Sequence, residues 1–277
     1  MLIVKKLTPD QCEKVASRLG DVVYDVLKIR RTVVEKNLEG TFPEKEHKEI
    51  AGLARKVYRR QALNIIEMLR LPLIEGKDDA MKILEIDGKE FLEKTRYAGK
   101  GAVVVSAHFG NWELLGICTG MLVAPMNIVV KHQGNPFIDR WITRHRTRHG
   151  NSVLYQEHAL RRGVKLLSDG EIVTLLGDQT DPTGGFITDF LGRSSAVFLG
   201  PAFLALKAGV PVFLGMCRRQ DNGRYIVESQ EIMTSDLSFC RKDIEELTRR
   251  YIKAIEVYIR HYPEEWFWLH NRWKIRV

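Results

Sequence analysis

The chain has 277 residues, 44% of them hydrophobic and 28% charged, with a mean hydropathy of −0.20. That excludes a polytopic membrane protein and a disordered chain, and it leaves enough length for a substantial core. Forty-three Lys and Arg against 35 Asp and Glu give a net charge of +8, which favours an anionic partner: nucleic acid, anionic lipid, a phosphorylated substrate or an acidic protein.

From the start of the chain, Met1–Lys6 carries too short an apolar stretch for a signal peptide. Thr8-Pro-Asp-Gln11 combines a capping residue, a proline at the first helical position and a glutamine at the third, so a helix is expected from Pro9. It should run to about Leu38 with a weak point at Gly20, its apolar stripe made of Val22, Val23, Val26, Leu27, Val33 and Val34, with Lys28, Arg30 and Arg31 near its middle. After Gly40-Thr-Phe-Pro43 a second helix is expected over about Glu44 to Leu71, carrying the basic patch Arg55-Lys-Val-Tyr-Arg-Arg60. The two helices can be core packing only, or they can bring apolar and basic surface together at a bilayer.

From about residue 81 short apolar runs alternate with amphipathic helices, the pattern of βαβ units. Strands are expected at Lys82–Ile86, Ala102–Ser106, Asn127–Lys131, Ser152–Tyr155, Ile172–Gly177, Pro211–Cys217 and Tyr225–Ser229, and a last long helix from about Asp243 to His261, ended by Pro263. The uncharged run Leu114 to Val130 is broken by Gly116, Gly120 and Pro125 and reads as helix, turn and strand rather than a membrane span. The expected fold is α/β, a mostly parallel central sheet flanked by helices. A single domain over 1–277 is expected, with an N-terminal helical pair over 1–75 and an α/β catalytic core over 76–277.

Val103-Val-Val-Ser-Ala-His-Phe-Gly-Asn-Trp-Glu113 is the centre of this pattern. The β-branched run is a buried strand, Gly110 and Asn111 break it, and a helix follows, so His108 sits at a strand end and Glu113 in the first helical turn. Open α/β sheets bind ligands at that edge. A histidine and a carboxylate placed there suit a general base and its orienting partner; the plainer alternative is a loop histidine beside an acid favoured by the helix dipole. No G-x-S-x-G is present, so a covalent serine intermediate has no support.

Arg140, Arg144 and Arg148 recur every four residues, with Arg146 between them; one helical face is either solvated or grips phosphate or carboxylate. Asp178, in Gly177-Asp-Gln-Thr-Asp181, also reaches the carboxyl edge of a strand, where an aspartate can serve the site or only bond its own backbone. Arg193 is a second phosphate-binding candidate, and Ala196 to Leu206 reads as a buried apolar helix that can also wall an acyl chain. Cys12, Cys118, Cys217 and Cys240 form no C-x2-C pair and fit a reducing compartment, and His132, His145, His149 and His158 share no zinc-ligand spacing, so no metal and no cofactor is expected.

His108-Phe-Gly-Asn-Trp-Glu113 resembles the H-x4-D/E motif of glycerolipid acyltransferases, and its Gly-Asn-Trp filling resembles the bacterial lipid A late acyltransferase family. Further stretches are similar to that family in the same order: Arg30-Arg31 with Asn37-Leu38 and Phe42-Pro43-Glu44, the Asn135-Pro136 to Gly150 segment with its recurring arginine at Arg146 or Arg144, the Asp178-Gln179 pair, Phe190-Leu-Gly-Arg193, and the closing Trp266 to Trp273. The resemblance implies a glycerol-3-phosphate-acyltransferase-like fold and direct attack by an acceptor hydroxyl on a thioester. It implies His108 and Glu113 as catalytic residues, and Arg144, Arg146, Asp178 and Arg193 as substrate-binding residues. The donor it implies is acyl carrier protein, with coenzyme A behind it; the acceptor is an anionic glycolipid, lipid A precursor by default, met at the cytoplasmic face of the inner membrane. Family members carry a hydrophobic anchor helix upstream of the Arg30 segment and this chain begins close to it, so peripheral attachment is expected. The competing classes are a non-catalytic basic scaffold for membrane or nucleic acid, which lacks a reader motif, and a thioesterase in which the same base activates water.

Overall fold

The computed structural model describes residues 4–181 and 184–273. Two layers of helices enclose a seven-stranded sheet. Three helices come first: α1 (Pro9–Asp21), α2 (Arg31–Thr41) and α3 (His47–Arg70). The expected cap is present, with the Thr8 hydroxyl accepting from the Gln11 amide and the Gln11 side chain accepting from the Thr8 amide. The single helix expected over Pro9 to Leu38 is divided. A π-helical turn, Val22–Leu27, follows α1, and Lys28 and Arg30 then take left-handed φ angles of 52° and 57° before α2 starts. Gly20 marks a close crossing instead of a weak point: a Cβ there would lie 2.6 Å from the backbone of Arg59 on α3. The Arg55–Arg60 patch is largely neutralised, because Arg55 pairs with Asp25, Arg59 with Asp21 and Arg60 with Glu265.

The α/β part follows in the order α4 (Lys77–Ile83), β1 (Leu84–Asp87), α5 (Lys89–Tyr97), β2 (Ala102–Ser106), α6 (Trp112–Leu122), β3 (Met126–Val130), α7 (Pro136–Thr147), β4 (Ser152–Tyr155), α8 (Gln156–Ser168) and β5 (Ile172–Leu176). Then come β6 (Phe186–Phe190), β7 (Arg193–Val197), α9 (Gly200–Ala208), β8 (Val212–Arg219), β9 (Tyr225–Ile232) and α10 (Arg241–His261). The sheet order is β1-β9-β8-β2-β5-β3-β4, parallel at every pairing except β8 with β9.

Five of the seven expected strands match their observed counterparts to within two residues at each end; the last runs on three residues to Ile232, and the first, expected at Lys82–Ile86, starts two residues later because the last turn of α4 takes Lys82 and Ile83. Missing from the expectation is the antiparallel hairpin β6–β7, turned at Leu191-Gly192 with positive φ at both residues. Ala196 and Val197, read as the start of a helix, belong to β7, and the helix begins at Gly200.

Alternation along β2 divides the core. Val103 and Val105 pack with α8 to α10 residues such as Leu167, Ala205 and Ile252, while Ala102 and Val104 join Leu92, Ala124 and Met126 on the opposite face. The first of these clusters also takes in Tyr24, Leu38, Ile50 and Val57, so the N-terminal helices and the sheet share one body of buried apolar surface.

Candidate active site

β2 and β5 are parallel neighbours with Ser106 opposite Leu176, and Gly177 N–H donates to the Ser106 carbonyl at 2.8 Å. Continuing that register by two residues sets His108 against Asp178. Ala107 and Phe109 are fully buried, whereas the His108 side chain between them keeps 20% of its surface. Its Nδ1 lies 2.9 Å from Asp178 Oδ1, its backbone N–H donates to Oδ2 at 3.0 Å, and the Trp266 indole N–H donates to the same Oδ2 at 2.7 Å. Burial alone would push the Asp178 carboxyl up, but the imidazole, the indole and the amide together hold it below the usual carboxylate value. An ionised Asp178 fixes the neutral ring as the Nδ1–H tautomer, which leaves the lone pair on Nε2.

The carboxylate at His108 Nδ1 is thus Asp178, and Glu113, expected there, pairs elsewhere. Gly110 takes φ +57°, and a Cβ there would fall 1.8 Å from the Cys217 carbonyl oxygen. Its N–H donates to the Glu265 carbonyl and its C=O accepts from Asn64, so the corner is fixed from both sides. Asn111 then caps α6 through Leu114 N–H and donates to Glu67. From that start the Glu113 carboxylate meets Arg146, which grips it in a fork with Nε at 2.9 Å and Nη2 at 2.6 Å. Both side chains are about nine-tenths buried, and although burial works against the Arg146 charge, Glu113 holds its pKa above the ordinary arginine value. Arg146 ties α7 to α6.

The remaining arginines separate by environment. Arg140 and Arg144 are exposed on α7, and Arg148 is exposed just beyond its end. Arg193 lies inside: its guanidinium stacks on Trp273 at 3.3 Å, donates to the Asn37 carbonyl and the Thr41 hydroxyl at the end of α2, and leaves Nε unbonded. Burial lowers its pKa to about 10, so it stays charged at neutral pH against carbonyls at a helix C-terminus.

The closing Trp266 to Trp273 segment, which periodicity alone gives no role, braces the site. Trp266 holds Asp178, Phe267 N–H donates to the His108 carbonyl at 2.9 Å, and buried Arg272 donates to the Asp178 and Ala196 carbonyls and to the Ser195 hydroxyl. Trp112 and Phe267 stand 5.2 and 6.4 Å from the His108 ring and give it an aromatic wall. The concentration of tryptophan and arginine in Trp266-Phe-Trp-Leu-His-Asn-Arg-Trp273 is the signal that was available. Among the described residues no group of three or more His, Cys, Asp or Glu is arranged to hold a metal ion.

A mostly parallel α/β sheet with the H-x4-E corner at its carboxyl edge is the frame of an acyltransferase. The chain belongs to the bacterial lipid A biosynthesis acyltransferase family, whose profile matches residues 1–275. It is 26% identical over 263 residues to the lipid A biosynthesis palmitoleoyltransferase of Escherichia coli K12, covering 94% of this chain and 84% of that one. It is 27% identical to the lauroyltransferase of the same organism, with 93% and 83% covered. Similarity extends to the phosphatidylinositol mannoside acyltransferase of Mycolicibacterium smegmatis, 25% identical over 75% of this chain and 67% of that protein.

Proposed function

We propose that this acyltransferase moves a fatty acyl group from an acyl carrier protein thioester to a hydroxyl of a phosphorylated glycolipid, a lipid A precursor by default, with His108 as general base. The observation that carries the reading is the bond from His108 Nδ1 to buried Asp178, which leaves the lone pair on Nε2 of a side chain that keeps 20% of its surface. The acceptor O–H gives its proton to Nε2 as its oxygen attacks the thioester carbonyl carbon. The carbonyl π pair moves onto oxygen; collapse of that oxyanion expels the thiolate, which takes the proton back from Nε2. Ester and thiol result. Asp178 stabilises the imidazolium formed on the way.

Glu113 then acts through Arg146, tying α7 to α6, and exposed Arg144 is the arginine we assign to acceptor phosphate, with Arg140 and Arg148 adding to the field. Arg193 and Asp178, first read as substrate ligands, become positioning residues for the C-terminal segment and for the base. The mannoside-acylating relative supports a second acceptor class, a glycolipid with a phosphoinositol head.

The site works at a lipid surface, on the cytoplasmic face of the inner membrane. Val15, Leu19, Val22, Val26 and Ile29 recur at helical spacing on α1 and the turn after it and are all exposed, Val26 at 70%. Lys14, Arg18, Lys28 and Arg30 flank them and are exposed as well. This is the composition of a helix lying in an anionic interface. No described helix is long and apolar enough to cross a membrane.

Incubation with radiolabelled acyl carrier protein thioester or acyl-coenzyme A, offered lipid A precursor or phosphatidylinositol mannoside and followed by chromatography of the lipids, tests the reading. Label is expected in the phosphorylated glycolipid, faster from the carrier protein. Release of free fatty acid alone, with every acceptor, would identify a thioesterase and overturn it.

A further inference from the structure

The Gln179 amide nitrogen lies 3.1 Å from His108 Nε2, the atom that has to receive the proton. The chemistry fixes which way that bond runs. With Asp178 accepting at Nδ1, Nε2 carries a lone pair, so the amide can only donate to it. Turning the amide so that its oxygen faced Nε2 would need the proton there, and would leave the Nδ1 lone pair against an ionised, buried carboxylate. Gln179 thus spends an N–H on the position that the acceptor hydroxyl must take. It is held there by its neighbours: Asp178 is anchored by four donors and Thr180 is buried with its hydroxyl on the Ala196 carbonyl, so the backbone on either side is fixed while the Gln179 side chain is only partly buried.

We infer that Gln179 is a catalytic residue of the transfer: its amide covers the base until the acceptor hydroxyl displaces it, and it then donates to the oxyanion of the tetrahedral intermediate. Displacement moves the amide by about the width of one hydroxyl, a hydrogen-bond length near 3 Å. That leaves its N–H beside the attacked carbon, where negative charge develops on the former carbonyl oxygen. While it covers Nε2, water cannot be activated there, so the thioester is spared hydrolysis until an acceptor competes for the lone pair. None of the described hydrogen bonds to His108 comes from a serine or cysteine, so a nucleophile does not contend for this place.

The inference rests on His108 being the base, and the experiment separates the two. Wild type, His108→Ala, Gln179→Ala and Gln179→Glu are assayed for ester formation and for free fatty acid, with folding followed by circular dichroism. Gln179→Ala should lower kcat for transfer by about 10²–10³-fold with little change in KM, the usual cost of one oxyanion donor, and should raise the ratio of hydrolysis to transfer. Gln179→Glu keeps the shape but has no N–H; it should lose a similar factor and move the acidic limb of the pH–rate profile upward, because a carboxylate beside the ring favours the imidazolium. It also carries the test should Gln179→Ala fold poorly. Transfer within about threefold of wild type in Gln179→Glu, with an unchanged product ratio, would overturn the inference even with His108→Ala inactive. An active His108→Ala would instead bring down the base reading itself.

Discussion

Asp178→Asn separates the orienting carboxylate from its sequence-local rival. Oδ2 of Asp178 accepts two N–H groups, from the His108 backbone and the Trp266 indole, and Oδ1 faces Nδ1 alone. An asparagine places its single oxygen where two donors converge, because the opposite choice buries an NH₂ against two N–H groups. Its NH₂ then faces Nδ1, and the imidazole must accept there and carry its proton on Nε2. The base lone pair is lost although no atom has moved. A wrong tautomer in a Ser-His-Asp triad costs about 10⁴-fold, so kcat should fall by about 10³–10⁴-fold, roughly 4–5.5 kcal/mol of barrier. KM should change little. Steady-state kinetics measure the loss, and ¹⁵N spectra of labelled histidine report which ring nitrogen holds the proton. Retention of more than a tenth of wild-type kcat, with the Nδ1–H tautomer still present, would refute the reasoning.

The Glu113–Arg146 pair should behave as a structural tie: alanine at either position should cost about 3–5 kcal/mol of stability, as breaking a buried pair does, and the double variant should lose less than the sum. Additive losses in denaturant titrations would count against the pairing. Glu265 offers a pH test. Burial raises its carboxyl from 4.5 to about 7 despite Arg60, so the folded protein holds a proton that the unfolded chain has released across that window. Stability should therefore fall as pH rises from about 4.5 to 7, by about 3 kcal/mol at most, and level off above. Glu265→Gln should flatten that slope, and an unchanged slope would contradict it. On the surface, Val26→Glu should weaken sedimentation with anionic vesicles by about tenfold or more, since a buried valine contributes about 1.5–3 kcal/mol; wild-type binding would remove the α1 stripe from the interface.

What the sequence revealed follows from the range of the interactions concerned. Ala102–Ser106 is a run of small and β-branched residues buried on both faces, and periodicity alone places such a strand. The hairpin β6–β7 escaped because Phe190-Leu-Gly-Arg193 was read as a motif, while its turn depends on positive φ at Leu191 and Gly192. The site divided in the same way. His108 was legible from its place at a strand end. Its partner was not, since Asp178 is 70 residues away and adjacent only because β5 lies next to β2 in the sheet. Glu113 was the nearer carboxylate along the chain, but α6 starts from a corner that delivers it to Arg146. The Trp266 to Trp273 brace depends likewise on long-range contacts, the bridge of Trp266 to Phe109 and the bond from Phe267 N–H to the His108 carbonyl just beyond β2.

Single-turnover transfer by His108→Ala bears most directly on the central claim. With donor and acceptor saturating and the fold verified, the variant should form ester about 10²–10⁴-fold more slowly than wild type, the contribution of a positioned general base, while binding the thioester donor normally. Ester formation at the wild-type rate would mean that another group takes the proton, and His108 would not be the base.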